Sequence, residues 1–403
     1  MVRIILFVFA FPFLFLACGG GEEYVPNMTG GEGRGQNFSR ISLSSFRSFS
    51  ENHYDSLGAG FLGPPLAVAS DKIAVVTTDR RLALMRYERI LFTWQFPEGS
   101  YPLPELASDS LGTLYATTTE GNLYAVETSG SLKWQASLHG PNDSSNYSLP
   151  LFPLTVPGGV VCGMTDGSLA EYDREGRELW RKTFGAGLVR SVAYREELGI
   201  LLGLTQNDYD QQDTVVLLNL KGEENWRFTI EGRIEYGPII VEERIVVGVA
   251  GRAEDGKYTP SLISIDANGA KEWEAPLTTL PTGITSDANG NSYVSGGGGS
   301  RISGGMVVSF DPEGAKRWEV GLQQSVPLSP LIAGDILCFL GVLDSSIGVF
   351  LYSTDGTFQK FASVESMAKI TLPPTVLPNG SYVIACSSEP TMLKSNSGGL
   401  LGF

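Results

Sequence analysis

Short apolar stretches separated by polar, glycine-rich turns run the length of the chain, and the second unit shows the pattern best. Residues 103–107 predict a first strand, followed by the turn Asp109-Ser110-Leu111-Gly112. Residues 113–117 (Thr-Leu-Tyr-Ala-Thr) alternate as a half-buried strand does. The turn Thr119-Glu120-Gly121 leads to a third strand at 122–126, and Ser129-Gly130 to a fourth at 132–136. Gly, Asn and Asp stand where tight hairpins need positive φ. Strands of about five residues with turns every 8–12 residues predict an all-β fold.

The unit repeats. Trp94, Trp134, Trp180, Trp226, Trp273 and Trp318 are separated by 40, 46, 46, 47 and 45 residues. Each of the last five follows a turn glycine by four positions: Gly130, Gly176, Gly222, Gly269 and Gly314. A period near 45 residues with four strands per repeat predicts a β-propeller of four-stranded antiparallel blades. The tryptophans are read as structural, each ring filling the wedge between neighbouring blades. A first unit is eroded, with Arg86-Tyr87 and Ile90 before Trp94. A seventh keeps Thr354-Asp355-Gly356 and places Phe361 near the tryptophan position. Residues 375–386 and 399–403 supply three strands of an eighth blade. Its outer strand is expected from residues 45–52, with Phe46 or Phe49 in the tryptophan slot, so that the last of eight blades is closed by an N-terminal strand and leaves no open edge.

The motif Gly121-Asn-Leu-Tyr-Ala with Glu127, Gly130 and Trp134 resembles the PQQ-like, quinoprotein-type propeller repeat. Gly167-Ser-Leu with Asp173, Gly176 and Trp180 matches in part. So do Asn219, Gly222 and Trp226, then Asp266, Gly269 and Trp273, then Asp311, Gly314 and Trp318. The resemblance covers roughly residues 46–403 and speaks for fold more than for function.

Delivery is written at the start of the chain. Arg3 precedes an apolar run of fourteen residues, 4–17, too short to span a bilayer. Residues 1–17 therefore read as a signal peptide. Phe15-Leu16-Ala17-Cys18-Gly19 is similar to the lipobox of bacterial lipoproteins, which implies that Cys18 becomes the lipidated first residue, carrying palmitate or similar acyl chains. Phe15 departs from the usual leucine of that motif. Residues 18–44 lack periodicity and read as a flexible tether. Residues 45–403 form the propeller domain. By analogy with lipoprotein sorting, Gly19 and Gly20 in place of an aspartate point to the outer membrane, facing the periplasm.

Composition narrows the chemistry. The net charge is −15, from 44 acidic and 29 basic residues, which disfavours nucleic acid and anionic lipid as direct partners. Cys162, Cys338 and Cys386 fall in second strands and read as buried core thiols, with no Cys-x-x-Cys among them. The two histidines, His53 and His139, belong to no metal-ligating cluster, so no metal site is expected. Asp266-Ala-Asn-Gly and Asp287-Ala-Asn-Gly-Asn look faintly like calcium loops but fall where the repeat needs hairpins. No catalytic residue and no cofactor-binding residue is assigned.

Strand parity places the first–second and third–fourth turns on one face. Those turns are short. The second–third loops and blade connections share the other face and read as expanded at 206–214, 251–260, 296–305, 342–348 and 389–397. Long loops on a rigid scaffold are where binding usually resides. Tyr209, Arg252, Tyr258 and Arg301 are the anchor candidates there, since interface hot spots favour Tyr and Arg.

The propeller behind a lipobox resembles the BamB family of outer-membrane assembly lipoproteins. That implies a non-catalytic, monomeric scaffold that binds a protein partner, a β-barrel assembly component among the possibilities. Two alternatives stay open: a surface-exposed lipoprotein that recognises carbohydrate or protein, and a quinoprotein dehydrogenase. The latter family uses PQQ, calcium ligands and adjacent cysteines, and this chain has no adjacent cysteines.

Overall fold

In the computed structural model the described residues are 4–8, 24–28, 50–54, 62–63, 65–69, 72–86, 89–139, 149–184, 188–206, 212–252, 258–297, 305–322, 330–343, 346–363, 375–376 and 382–383. They form β-strands and turns, with six four-stranded sheets, one five-stranded sheet and two two-stranded sheets. The predicted second unit is sheet 2: Pro102–Ser108, Leu114–Thr118, Asn122–Val126 and Leu132–Ser137. Sheets 3 to 7 repeat this antiparallel meander and begin at Pro150–Val156, Leu188–Arg195, Arg233–Val241, Pro281–Ser286 and Leu331–Ala333. Their outer strands are Glu178–Thr183, Glu224–Thr229, Lys271–Pro276, Lys316–Leu322 and Phe358–Ser363. Sheet 1 holds Leu66–Ala69, Lys72–Val76, Arg81–Arg86 and Arg89–Gln95.

Successive sheets touch through their first strands, which places those strands innermost and the tryptophan-bearing strands on the rim. Second and third strands are buried on both faces, as in Gly199–Thr205 and Thr214–Leu218. Outer strands alternate exposed and half-buried residues, as in Glu224–Thr229. The core is therefore a series of wedges between neighbouring sheets. Leu202, Val216 and Ile200 pack with Leu154 and Val161 in one. Ile245, Val247 and Ile263 pack with Leu201, Val215 and Leu217 in the next. Apolar area buried from both sides is what makes strands of this length stable.

Three expectations need correction. Residues 18–44 are not wholly a tether: Tyr24–Met28 is a strand that pairs with Leu66–Ala69 and makes the fifth strand of sheet 1. The expected strand at 45–52 is found as Ser50–Tyr54, and it pairs with Ile4–Val8. Residues 342–348 are no expanded loop, because Leu343 pairs with Ser346 and leaves a two-residue hairpin. At 251–260 the ladder likewise extends outward until Arg252 faces Tyr258. Two strands of the expected last unit are present as Thr375–Val376 and Tyr382–Val383. Phe46, Phe49 and residues 399–403 lie outside the described residues. Thr375–Val376 touches the first strands of both sheet 7 and sheet 1, and Ile4–Val8 touches Tyr382–Val383.

Candidate functional site

The repeated turn glycine and tryptophan meet across sheet boundaries rather than within a sheet. Each third–fourth hairpin of sheets 2 to 7 carries a glycine in the left-handed region, for example Gly222 at φ 70° and Gly269 at φ 85°. In sheets 3 to 6 the turn is closed by an Asp or Asn. Asp266 Oδ1 accepts the amides of Asn268 and Ala270 at 2.9 and 2.8 Å, and Asn219 Oδ1 accepts those of Lys221 and Glu223 at 2.9 and 3.0 Å. The indole of the preceding sheet lies flat on that glycine. A Cβ at Gly269 would fall 2.8 Å from Trp226 Cδ2, and one at Gly222 would fall 2.8 Å from Trp180 Cε3. The indole N–H then donates to the carbonyl two residues before the glycine. Trp134 reaches Arg174 O at 2.8 Å, Trp226 Ala267 O at 2.8 Å, Trp273 Pro312 O at 2.9 Å and Trp318 Thr354 O at 3.1 Å. Trp180 shares its N–H between Leu220 O at 3.1 Å and the buried Glu171 at 2.6 Å.

Trp94 is not in this set. In sheet 1 the residue beside the bulge, opposite Leu84, is Phe92. A Cβ at Gly130 would meet Phe92 at 3.0 Å. Trp94 stands two residues further on and packs edge-on against Phe96 and beside Tyr124, with ring centroids 4.8 and 5.3 Å away. Sheet 7 departs as well. Lys360 takes the slot, opposite Leu351, and Phe361 pairs instead with Phe350, ring centroids 4.7 Å apart. The joints are structural, and five of them share the full hydrogen-bonded form.

Of the predicted anchors, Arg252 and Tyr258 face each other at the outer end of the second–third hairpin of sheet 5. Tyr209, Arg301 and Cys18 lie outside the described residues. The sequence reading missed Asp213, the fully buried residue that precedes the third strand of sheet 4. Its carboxylate accepts Gln206 N at 2.9 Å and Ile234 N at 2.7 Å, and it sits 3.5 Å from Arg233. It thus ties an expanded loop to the next sheet on the long-loop side.

A cleft of about 520 Å³ opens on the opposite, tight-turn side, between sheets 4 and 5. Glu242, Glu243 and Arg244 of one turn line it, with Asp266 and Asn268 of another and Arg195 of sheet 4. Glu242 adopts φ 54° and leans over Gly290 of sheet 6. Arg244 donates to Pro312 O, and Arg195 pairs with Glu197 at 3.1 Å. Nothing in the pattern of turns distinguished this position.

Buried titratable groups elsewhere serve the scaffold. Burial pushes the Cys338 thiol up, and Cys162 is buried likewise; Cys386 lies outside the described residues. Burial raises the Tyr293 hydroxyl too, with a 2.7 Å hydrogen bond to Asp287 adding to it. Asp287 spends its other oxygen on the amides of Asn289 and Asn291, both at 2.9 Å, so the turn consumes the carboxylate that a calcium ion would need. Among the described residues no group of three or more His, Cys, Asp or Glu could hold a metal. Among the described residues the Asp287 turn thus offers no calcium site of the quinoprotein kind.

A family model described as outer membrane protein assembly factor BamB matches residues 165–344. No curated protein matches the sequence. Among solved structures, BamB from Moraxella catarrhalis aligns with TM-score 0.57 and 16% identity, covering 80% of this chain and 94% of that one. Quinohemoprotein alcohol dehydrogenase from Comamonas testosteroni aligns with TM-score 0.57 and 12% identity over 86% of this chain and 77% of that one. The C-terminal WD40 domain of Sif2 gives TM-score 0.59 and 10% identity, with 81% and 97% covered. The chain is a PQQ-like propeller that resembles BamB. The dehydrogenase shares the fold without bearing on chemistry.

Proposed function

We propose that the protein is a non-catalytic scaffold of the cell envelope, lipid-anchored through Cys18 and engaged with protein partners, in the manner that the name outer membrane protein assembly factor implies. The match of that family model to residues 165–344 carries this reading. The lipobox-like segment ending in Cys18 supports the anchor and an outer-membrane, periplasm-facing location. Cys18→Ser should release the protein from membranes, and the mature N-terminal peptide should carry acyl mass. An unmodified N-terminus in mass spectrometry would overturn the anchor. Cross-linking in cells followed by pull-down identifies the partner. Recovery of β-barrel assembly components supports the assembly role, and recovery of host or extracellular ligands alone supports the surface-recognition alternative.

The ring is read as eight blades, the last completed by the N-terminal segment. The contacts of Thr375–Val376 with sheets 1 and 7 support this. In the processed chain Ile4–Val8 is gone, and Ser50–Tyr54 is left to cover that edge. Removing the mature chain through Tyr54 should expose it and promote aggregation. Equal melting temperatures for that truncation and one stopping at Ser44 would overturn the closure.

The long-loop side is the proposed capture face, with Tyr209, Arg252, Tyr258 and Arg301 as anchors. Charge reversal at Arg252 or Arg301 should weaken capture without changing the melting temperature. The purified domain should bind neither PQQ nor calcium, and stoichiometric PQQ binding in calorimetry would refute the non-enzymatic reading.

A further inference from the structure

Exposed apolar side chains are distributed unevenly over the described residues. The large ones are Tyr101 and six others: Leu91, Leu111, Leu132, Leu179, Leu220 and Phe358. Leu111 stands in the first–second turn of sheet 2 and Leu220 in the third–fourth turn of sheet 4. Leu91, Leu132, Leu179 and Phe358 stand near the start of outer strands, just past third–fourth turns. All six therefore lie on the tight-turn side. Tyr101 lies on the other, where its amide donates to Glu120 in a second–third turn at 3.0 Å. A single exposed leucine is ordinary, but a one-sided arc of them is an arrangement.

The arc leads to the polar cleft. Leu179 adjoins Trp180, whose indole donates to the carbonyl of Leu220. Trp226, in the strand after Leu220, donates to Ala267 O in the cleft wall. Of the two arginines of the cleft, Arg244 donates to Pro312 O, and Arg195 pairs with Glu197 through Nε while its Nη1 is buried without a hydrogen-bond partner. Among the described residues Glu242 and Glu243 form no ion pair, and the lining sets Glu242, Glu243, Asp266 and Glu272 against Arg195 and Arg244, so the cleft is net negative. The whole chain is negative as well, which favours a basic ligand over a phosphate-bearing one.

We infer that the tight-turn side is a second docking surface, for a basic amphipathic segment of a protein partner. Its apolar side chains would rest on Leu132, Leu179 and Leu220, and a Lys or Arg would enter the cleft beside Glu242 and Glu243. A scaffold with two working faces can hold two partners at once, one on the long loops and one here.

The test titrates the full chain with a labelled, helix-forming peptide of leucine and lysine, and with its leucine–glutamate counterpart. The lysine peptide binds and the glutamate peptide does not. Leu179→Ser with Leu220→Ser, and separately Glu242→Gln with Glu243→Gln, each weaken binding about tenfold or more, as loss of interface anchors does. Glu98→Gln with Glu231→Gln removes the same charge from the opposite side and leaves binding within about twofold, because distant exposed charges are screened. Equal weakening by that control pair would reduce the attraction to net charge and overturn the surface. Failure of the lysine peptide to bind, or a hydrogen-exchange footprint confined to the long loops, would also overturn it. None of these outcomes touches Arg252 or Arg301, so the long-loop reading stands or falls separately.

Discussion

Sheets 2 to 6 and sheets 1 and 7 solve the same packing problem differently. In sheets 2 to 6 one side chain does two things at the joint: its ring covers the next sheet's turn glycine, and its N–H satisfies a carbonyl of that turn. In sheet 1 Phe92 supplies the ring but no donor. Sheet 7 supplies neither at the slot, since Lys360 is exposed there. The joints toward the chain ends thus lack contacts that the joints of the middle sheets all make.

The sharpest test compares the two extremes of one slot. Trp226→Ala removes a half-buried ring and its hydrogen bond and should cost about 3–5 kcal/mol. Lys360→Ala, at the equivalent ladder position, should stay within about 0.5 kcal/mol. Urea unfolding of the two variants measures both. Similar losses would mean that the joints are equivalent after all.

The glycine side of the joint gives the next largest effect. Gly269→Ala puts a Cβ at φ 85° and against the Trp226 ring. Gly99→Ala meets a similar φ of 80° with nothing within 4 Å. The second change should cost about 1–2 kcal/mol from backbone strain alone, and the first distinctly more. Thermal melts that rank them equally would show that the indole yields freely.

Much of this was legible in the chain. The period, the turn glycines and the rings between sheets are legible because strand length, hairpin chemistry and ring size leave little freedom. The errors arose where a residue type was trusted over register. Trp94 does fill a wedge, against Tyr124 of sheet 2, but it is out of register with the others, and its gap to Trp134 is 40 residues where the others run 45–47. Phe361 was chosen for its ring, although Gly356 plus four is Lys360. The hairpin at Leu343 and Ser346 was unreadable because polar residues at a strand end look like a loop. The acidic cleft and Asp213 depend on turns from different sheets converging, which no local pattern records.

Sheet 3 differs from its neighbours in a way that pH should reveal. Opposite their tryptophans the other sheets carry Ala125, Leu217, Ser264 and Ser309, whereas sheet 3 carries the buried Glu171. Burial raises its carboxyl above the usual range, and the indole N–H of Trp180 offsets only part of this. A raised carboxyl means that the folded state holds the proton longer than the unfolded chain. Stability is therefore greatest below the unfolded value and falls as pH rises through the folded one. Glu171→Gln should be more stable than the native chain near pH 7, and the gap should close near about pH 4, where an unfolded glutamate takes up its proton. A gap independent of pH would assign the effect to shape rather than charge.

The smallest effect is a gain. Phe92→Trp places an indole in the slot that the neighbouring sheets already fill with one. The matching acceptor is the carbonyl of Thr128, two residues before Gly130, as Arg174, Ala267, Pro312 and Thr354 are placed before or beside their own glycines. A net hydrogen bond of this kind contributes about 1 kcal/mol. The larger ring must still fit beside Trp94, Phe96 and Tyr124, which already crowd that wedge. Trp226→Phe provides the mirror experiment, since it keeps a ring and deletes the donor. If the hydrogen bond is what separates sheet 1 from the middle sheets, the gain at position 92 and the loss at position 226 should be similar in size and opposite in sign. A stabilised Phe92→Trp with an unaffected Trp226→Phe would instead show that the indole donor adds nothing at the middle joints, and the gain at position 92 would belong to the packing of that one wedge.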